Sequence, residues 1–185
     1  RPCVNHSDVD FTIEHAEDGA RFIRIGLGAI KNVGDDAMQC IVDARNEGGP
    51  FQSLDDFADR VDLRNLNRRS LEYLIQAGAL DDFGPRPALL TMTDALLSAS
   101  AHVHSARDVG QFTLFGDLGK VTQTLRPPET FPPIPDRKLL DWEKELLGIY
   151  LSEHPLEREE RRLLSESLVN TTVAQIATEM TGKQL

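Results

Sequence analysis

The sequence predicts a mainly α-helical fold that opens with a short N-terminal β-hairpin. Three observations carry this prediction. Apolar residues recur at helical spacing over most of the chain, strict alternation of apolar and polar residues is confined to two short runs near the start, and a tight turn between two helical runs occurs twice.

The chain has 185 residues, enough for one sizeable core or two small ones, and its 40% hydrophobic content is ordinary for a soluble protein. No run approaches the roughly 18 apolar residues that cross a bilayer. The start, "RPCVNHSDVDF", lacks the basic-then-apolar layout of a signal peptide, so the expected location is cytoplasmic and no membrane partner is expected. Cys3 and Cys40 have no CxxC spacing and no nearby histidine pair, which suggests neither a zinc site nor a disulfide framework. Cys40 is expected in the core, on an apolar helix face. The absence of an initiator methionine and the polar ending "MTGKQL" lead us to expect a segment of a longer protein.

"DFTIEH" (10–15) and "RFIRIG" (21–26) alternate around "AEDGA", whose Asp18-Gly19 is a hairpin signal. Between Asp35 and Asn46, Ala37, Cys40, Ile41 and Ala44 mark one face of an amphipathic helix that "EGGP" stops. Ser53 is placed to cap a short helix running to about Arg60. "VDLRNLN" (61–67) is the second turn, and Asn67 caps a helix that carries Leu71, Leu74 and Ile75 inward and ends at Gly78. Residues 85–108 predict one longer helix that starts through Pro85 and Pro87, with Leu89, Leu90, Leu96 and Leu97 as its apolar face and a fraying end in "SASAHVHSARD". "LRPPETFPPIP" holds five of the ten prolines and predicts an extended connector. Beyond it, "DRKLLDWEKELLGIYLS" presents Leu139, Trp142, Leu146 and Tyr150 as a stripe, Pro155 starts a further helix, and "TTVAQIATEM" is a last short helical segment.

The stretch "GLGAIKNVG" (26–34) has the glycine spacing and lone lysine of a phosphate-binding loop in a chain of net charge −10, which repels nucleic acid at long range. A Walker loop is excluded, because Gly34 is followed by Asp35 rather than by Lys-Ser/Thr. A dinucleotide fingerprint is excluded because Lys31 stands where its third glycine belongs. The pattern that fits is a helix-hairpin-helix: a short helix through Leu27 and Ile30, the hairpin "KNVG", and a helix opening at Asp35. In such a hairpin the glycine admits a close backbone approach, and the unpaired N–H groups of the second helix point at a phosphate along the helix dipole. Binding then needs little net positive charge, because the Debye length is only about 8 Å at physiological salt. The second turn is locally basic, with Arg60, Arg64, Arg68 and Arg69 against Asp62. The two turns together define a tandem helix-hairpin-helix helical domain followed by further helices; a pair that docks protein rather than DNA stays open.

"GQFTLFG" (110–116) sits between the expected fraying helix and the proline-rich connector. A glutamine with a Leu-Phe pair describes a linear peptide anchor, and Leu114 and Phe115 folding back onto the chain's own core describes them equally well.

The block from Ile23 to Gly84, with "GQFTLFG" and "LLDWEKELLGIYLSEHPLE" after it, resembles the alpha subunit of bacterial DNA polymerase III, the replicative C-family polymerase. The resemblance runs over nearly the whole chain. It implies four parts: the end of the fingers region with the hairpin (1–26), the tandem helix-hairpin-helix DNA-binding domain (27–108), a clamp-binding peptide with the proline-rich connector (109–135), and a helical segment leading towards an OB domain not included (136–185). It implies that Gly28, Lys31, Asn32, Val33 and Gly34 form the first duplex-gripping hairpin and that Arg64, Asn65, Asn67 and Arg68 fall in the second. It also implies that Gln111, Leu114 and Phe115 bind the sliding clamp, with Phe112 at a variable position.

The family's catalytic aspartates, which hold two metal ions taken to be Mg2+, belong to a palm domain that the resemblance places before Arg1. No catalytic residue, metal ligand or cofactor is therefore expected in this segment. Asp35-Asp36, Asp55-Asp56 and Asp81-Asp82 read as helix-start and solvated residues, since adjacent side chains on a helix diverge by about 100°. His102, His104 and His154 meet no paired nucleophile. The expected function is a segment of a DNA-directed DNA polymerase, a nucleotidyltransferase, that binds duplex template-primer DNA and the sliding clamp alongside other replicative holoenzyme subunits. The alternatives are a helix-hairpin-helix module of a DNA-repair enzyme and an acidic protein-docking scaffold.

Overall fold

A computed structural model describes residues 1–16, 19–108 and 124–165, and the chain divides into two compact units, Arg1–Ile149 and Tyr150–Leu185. The mainly helical architecture with an N-terminal hairpin is the one the sequence predicts. Strand β1 (Thr12–His15) pairs antiparallel with β2 (Arg21–Arg24), Ile13 opposite Ile23 and Glu14 opposite Phe22. Arg24 locks the ribbon through a 2.6 Å ion pair to Glu14. Asp18, half of the predicted turn signal, lies outside the described residues.

The chain then makes a 3-10 turn at Leu27–Ala29 and enters helix α1 (Asp35–Gly48). Ala37, Met38, Ile41 and Val42 are its buried apolar residues. Cys40 is exposed, which corrects the expectation that it packs in the core. The buried stripe runs through Ala37, Met38, Ile41, Val42 and Arg45, which leaves Cys40 on the outer side of the helix. Helix α2 (Leu54–Arg60) starts at Ser53, whose hydroxyl accepts the Asp56 N–H at 3.1 Å. A second 3-10 turn, Leu63–Asn65, leads into α3 (Arg68–Ala77). Asn67 accepts the Ser70 N–H at 2.8 Å, and Gly78 ends the helix at φ 88°, a left-handed conformation that a side chain would strain.

The predicted single helix over 85–108 is two, α4 (Arg86–Thr91) and α5 (Thr93–Asp108), with Met92 between them. The physical reason is local. Thr91 donates its hydroxyl to the Ala88 carbonyl at 2.6 Å and Thr93 donates to Leu90 at 2.9 Å, contacts that compete with the helical ladder on either side of Met92. Within the stretch 98–108, expected to fray, the last residues Ser105, Arg107 and Asp108 are exposed, while two earlier ones are packed. Ser100 is fully buried, donating to the Val61 carbonyl at 2.8 Å and accepting the Leu63 N–H at 2.9 Å, and Val103 is buried beside it.

After 124–135, which forms no helix or strand, α6 (Asp136–Leu147) lays Leu140, Trp142 and Leu146 into the core against α3. That core is built around Phe57, Leu63, Leu71, Leu74, Ile75, Leu80 and Leu89, all fully buried. In the second unit, α7 (Pro155–Ser165) begins at Pro155 as the sequence predicts. The stretch "TTVAQIATEM" lies outside the described residues. No helix among them is long and apolar enough to cross a membrane.

Candidate nucleic-acid interface

The two hairpins are built on one plan. In the first, Leu27 is buried, the 3-10 turn closes with the Ile30 N–H on the Leu27 carbonyl at 3.1 Å, and Ile30 is buried in turn. In the second, Leu63 and Leu66 repeat both the burial and the closing bond, at 3.0 Å. Buried anchors on each side of the turn hold its polar residues outward. Lys31, Asn32 and Gly34 are exposed in the first hairpin, and Arg64, Asn65, Asn67 and Arg68 in the second. The hairpins also approach each other, with the Ser70 hydroxyl in the first turn of α3 lying 3.5 Å from the Asn32 carbonyl.

The residues of the first hairpin divide by role. Gly28 is packed: a methyl group there would lie 3.1 Å from the Val9 carbonyl and 3.3 Å from Asp35 Oδ1. Val33 is buried and anchors the turn. Asn32 makes the turn itself at φ 66°, a left-handed conformation that asparagine tolerates better than most residues. Gly34 behaves differently. It has φ −74° and ψ 140°, available to any residue, and a methyl group there would meet nothing within 4 Å. The fold has no need of glycine at this position.

Gly34 is also the residue before α1, and it supplies no side-chain cap. The N–H groups of Asp35 and Asp36 in the first turn meet no protein acceptor among the described residues, as the start of an α-helix requires unless a side chain intervenes. The carboxylates of Asp35 and Asp36 complement the positive end of the helix dipole themselves. Lys31 is the nearby exposed cation. Its ammonium makes no ion pair among the described residues, while its backbone N–H donates to the Leu146 carbonyl at 2.9 Å.

The second hairpin is less free than its composition implies. Arg60 is structural: it donates to Asp56 at 3.1 Å and to the carbonyls of Ala44 and Gly49, and it lies 4.5 Å over the Phe51 ring. Arg64 spans Asp62 at 2.6 Å and Asp108 at 2.7 Å; both carboxylates, Asp62 foremost, favour its charged form. In return the Arg64 guanidinium holds the Asp62 carboxyl below its ordinary range. Arg68 pairs with Glu72 at 2.8 Å and Asp94 at 2.6 Å. Asn67 is committed to capping α3, and Arg69 is exposed with no ion pair among the described residues.

Three features of this surface were not legible as motifs. They are the α6 carbonyl that holds Lys31, the α5 carboxylates Asp94 and Asp108 that hold two arginines, and the left-handed Asn32. Each joins residues far apart in sequence or depends on a backbone angle. Gln111, Leu114 and Phe115, the predicted clamp-binding residues, lie outside the described residues.

Two turns with paired buried anchors, each leading into an α-helix, define a helix-hairpin-helix protein. A family model described as a helix-hairpin-helix motif matches residues 1–90. The chain is 39% identical over 158 residues to DNA polymerase III subunit alpha of Vibrio cholerae, covering 84% of this chain and 13% of that protein. It is 41% identical over 157 residues to the Thermus aquaticus subunit alpha, covering 85% and 12% respectively. The Pseudomonas aeruginosa subunit alpha matches at 37% over 91% of this chain and 16% of its own length. The chain belongs to the DNA polymerase III alpha-subunit family, and it spans 12–16% of the length of these relatives.

Proposed function

We propose that this chain is the part of a DNA-directed DNA polymerase that holds duplex template-primer DNA by phosphate contacts and tethers the enzyme to a sliding clamp. Template-directed synthesis, a nucleotidyl transfer, belongs to the full-length protein in the cytoplasm, with other replicative holoenzyme subunits around it. The observation that carries the reading is Gly34, a glycine the fold does not require, placed before the uncapped first turn of α1 and beside Lys31.

Duplex backbone approaches Gly34, one phosphate accepts from the first-turn N–H groups of α1, and Lys31 neutralises a neighbouring one. Arg64 and Arg68 exchange one carboxylate each for phosphate when DNA arrives, as charge-assisted bonds to either oxyanion are comparable. Contacts of this kind grip without reading sequence. The clamp role rests on Gln111, Leu114 and Phe115 as a peptide anchor and on the family resemblance. A clamp held there raises the effective DNA concentration at the hairpins.

One observation favours the protein-docking alternative: Arg64 and Arg68 are paired to carboxylates in a chain of net charge −10. A salt titration of duplex binding separates the readings. Phosphate contacts weaken steeply and log-linearly with salt, whereas duplex affinity that is absent at low salt overturns the proposal.

A further inference from the structure

We propose that Cys3, His6 and Asp82 form a divalent transition-metal site, best suited to zinc, that fastens the N-terminal turn to the loop after α3. The sulfur, imidazole nitrogen and carboxylate oxygen of these residues all lie within 4.8 Å of one another. Two of the three already touch, since the Cys3 thiol donates to Asp82 Oδ2 at 3.1 Å. Sequence spacing could not show this, because Cys3 and Asp82 stand 79 residues apart and only folding brings them together.

The surroundings hold two of the ligands in place. Asn5 donates to Asp82 Oδ2 at 3.2 Å, and it is fixed by donating to the Phe51 carbonyl at 3.2 Å and accepting the Phe51 N–H at 2.8 Å. An amide bonded to a ligating carboxylate orients it as outer-shell partners of metal sites do. The turn carrying Cys3 and His6 is closed by the His6 and Ser7 N–H groups on the Cys3 carbonyl, at 3.1 and 2.8 Å. His6 is exposed and makes no side-chain hydrogen bond among the described residues, so its ring is free to swing inward. Ligands of a tetrahedral zinc ion stand about 3.3–3.7 Å apart, a contraction that the His6 side chain can supply.

The donor set selects the metal. A thiolate with an imidazole and a carboxylate matches zinc, whereas magnesium and calcium prefer oxygen alone. Binding replaces the thiol proton: the Cys3 S–H bond breaks, the sulfur's electron pair goes to the metal, and one proton is released to solvent. The thiolate and carboxylate then balance the dication. Arg24, one of the nearby cations that would oppose the metal, is neutralised by Glu14 at 2.6 Å. Three protein ligands leave a fourth position for water.

The test is a Co2+ titration of the whole 185-residue chain carrying Cys40→Ser, which removes the exposed second thiol. One equivalent produces an ultraviolet thiolate-to-cobalt band that added Zn2+ abolishes. Cys3→Ser removes the band. His6→Asn and Asp82→Asn, both at exposed side chains, weaken binding by about tenfold or more, the cost of losing even an outer-shell partner. Zn2+ raises the melting midpoint of the parent chain and raises that of His6→Asn less at the same concentration. No saturable band in the parent, or affinity unchanged in both His6→Asn and Asp82→Asn, overturns the proposal.

Discussion

The backbone N–H of Lys31 donates to the carbonyl of Leu146 at 2.9 Å, so the tip of the first hairpin is held by the last turn of α6. The lysine thereby has two separable parts, a backbone that fixes the loop and a side chain that faces solvent. Leu146→Ala, at a 1% exposed site, costs about 2–5 kcal/mol of stability. Lys31→Ala keeps the backbone bond and leaves the melting midpoint in place, while the salt dependence of duplex binding loses about 0.9 in log-log slope. Urea denaturation and fluorescence anisotropy at several salt concentrations check the pair. An unchanged slope in Lys31→Ala would show that its ammonium meets no phosphate.

Gly34 and Gly26 make opposite demands. A methyl group at Gly26 would lie 2.2 Å from the Val9 carbonyl, so Gly26→Ala unfolds or distorts the segment before the hairpin. At Gly34 there is open space, and Gly34→Ser even offers α1 a capping hydroxyl. Stability of Gly34→Ser therefore stays level or rises by a few tenths of a kcal/mol. Its duplex affinity falls about tenfold, equivalent to about 1.4 kcal/mol, because the added atoms occupy the path of the phosphate. Thermal melting and a low-salt duplex titration on the same sample separate the two effects.

These positions also mark how far the sequence could be read. Ser53, Asn67 and Gly78 were legible because capping and left-handed termination are local, set by one residue and its next few neighbours. The outward position of Cys40 was not, because which side of α1 turns inward is decided by what packs against it, and Met38 and Val42 are buried there instead. Ser100 illustrates the same limit. A small polar residue on a helix reads as solvent-facing until Val61 and Leu63 are placed against it. At the candidate site, both turns could be read from spacing, whereas their site residues came from the family resemblance, which also named the buried Val33 and the packed Gly28. The carboxylates facing Arg64 and Arg68 could not, since Asp108 and Asp94 arrive from α5.

That pairing makes Asp108 a competitor for the cation proposed to meet DNA. Asp108→Asn frees one side of Arg64 and raises duplex affinity about two- to fivefold, the range set by a surface ion pair. Arg64→Ala lowers affinity, and in the Arg64→Ala background the Asp108→Asn gain shrinks to the small effect of the charge itself. A double-mutant cycle in duplex binding reads this coupling directly. Additive effects would place Arg64 away from the DNA.

Asp62 predicts the acid limb of stability. The Arg64 guanidinium holds its carboxyl below the ordinary value of 3.8, so the folded state binds the proton less tightly than the unfolded chain. This contribution is complete above pH 3.8 and disappears as pH falls through the lower folded value. Asp62→Asn removes that part of the pH dependence and leaves the profile near neutrality parallel to the parent's. Urea midpoints measured from neutral pH down into the acid range test the sign. A midpoint that rises on acidification in the parent would contradict the pairing.

The clamp reading stands on Gln111, Leu114 and Phe115, and its prediction is independent of the hairpins. A linear anchor concentrates its affinity in the large apolar residues that fill a pocket, with the glutamine bonding at the rim. Calorimetric titration of the chain with the sliding clamp gives a saturable heat, and Leu114→Ala with Phe115→Ala abolishes it while duplex affinity is retained. Gln111→Ala weakens clamp binding without removing it, because it deletes a rim bond and leaves the apolar pair. A double variant that loses stability and binds clamp as well as the parent would show the opposite arrangement, with Leu114 and Phe115 spent on the chain's own core. The separation of the two readouts matters: loss of clamp binding with intact duplex binding is expected only if the tether and the hairpins are distinct surfaces joined by one chain.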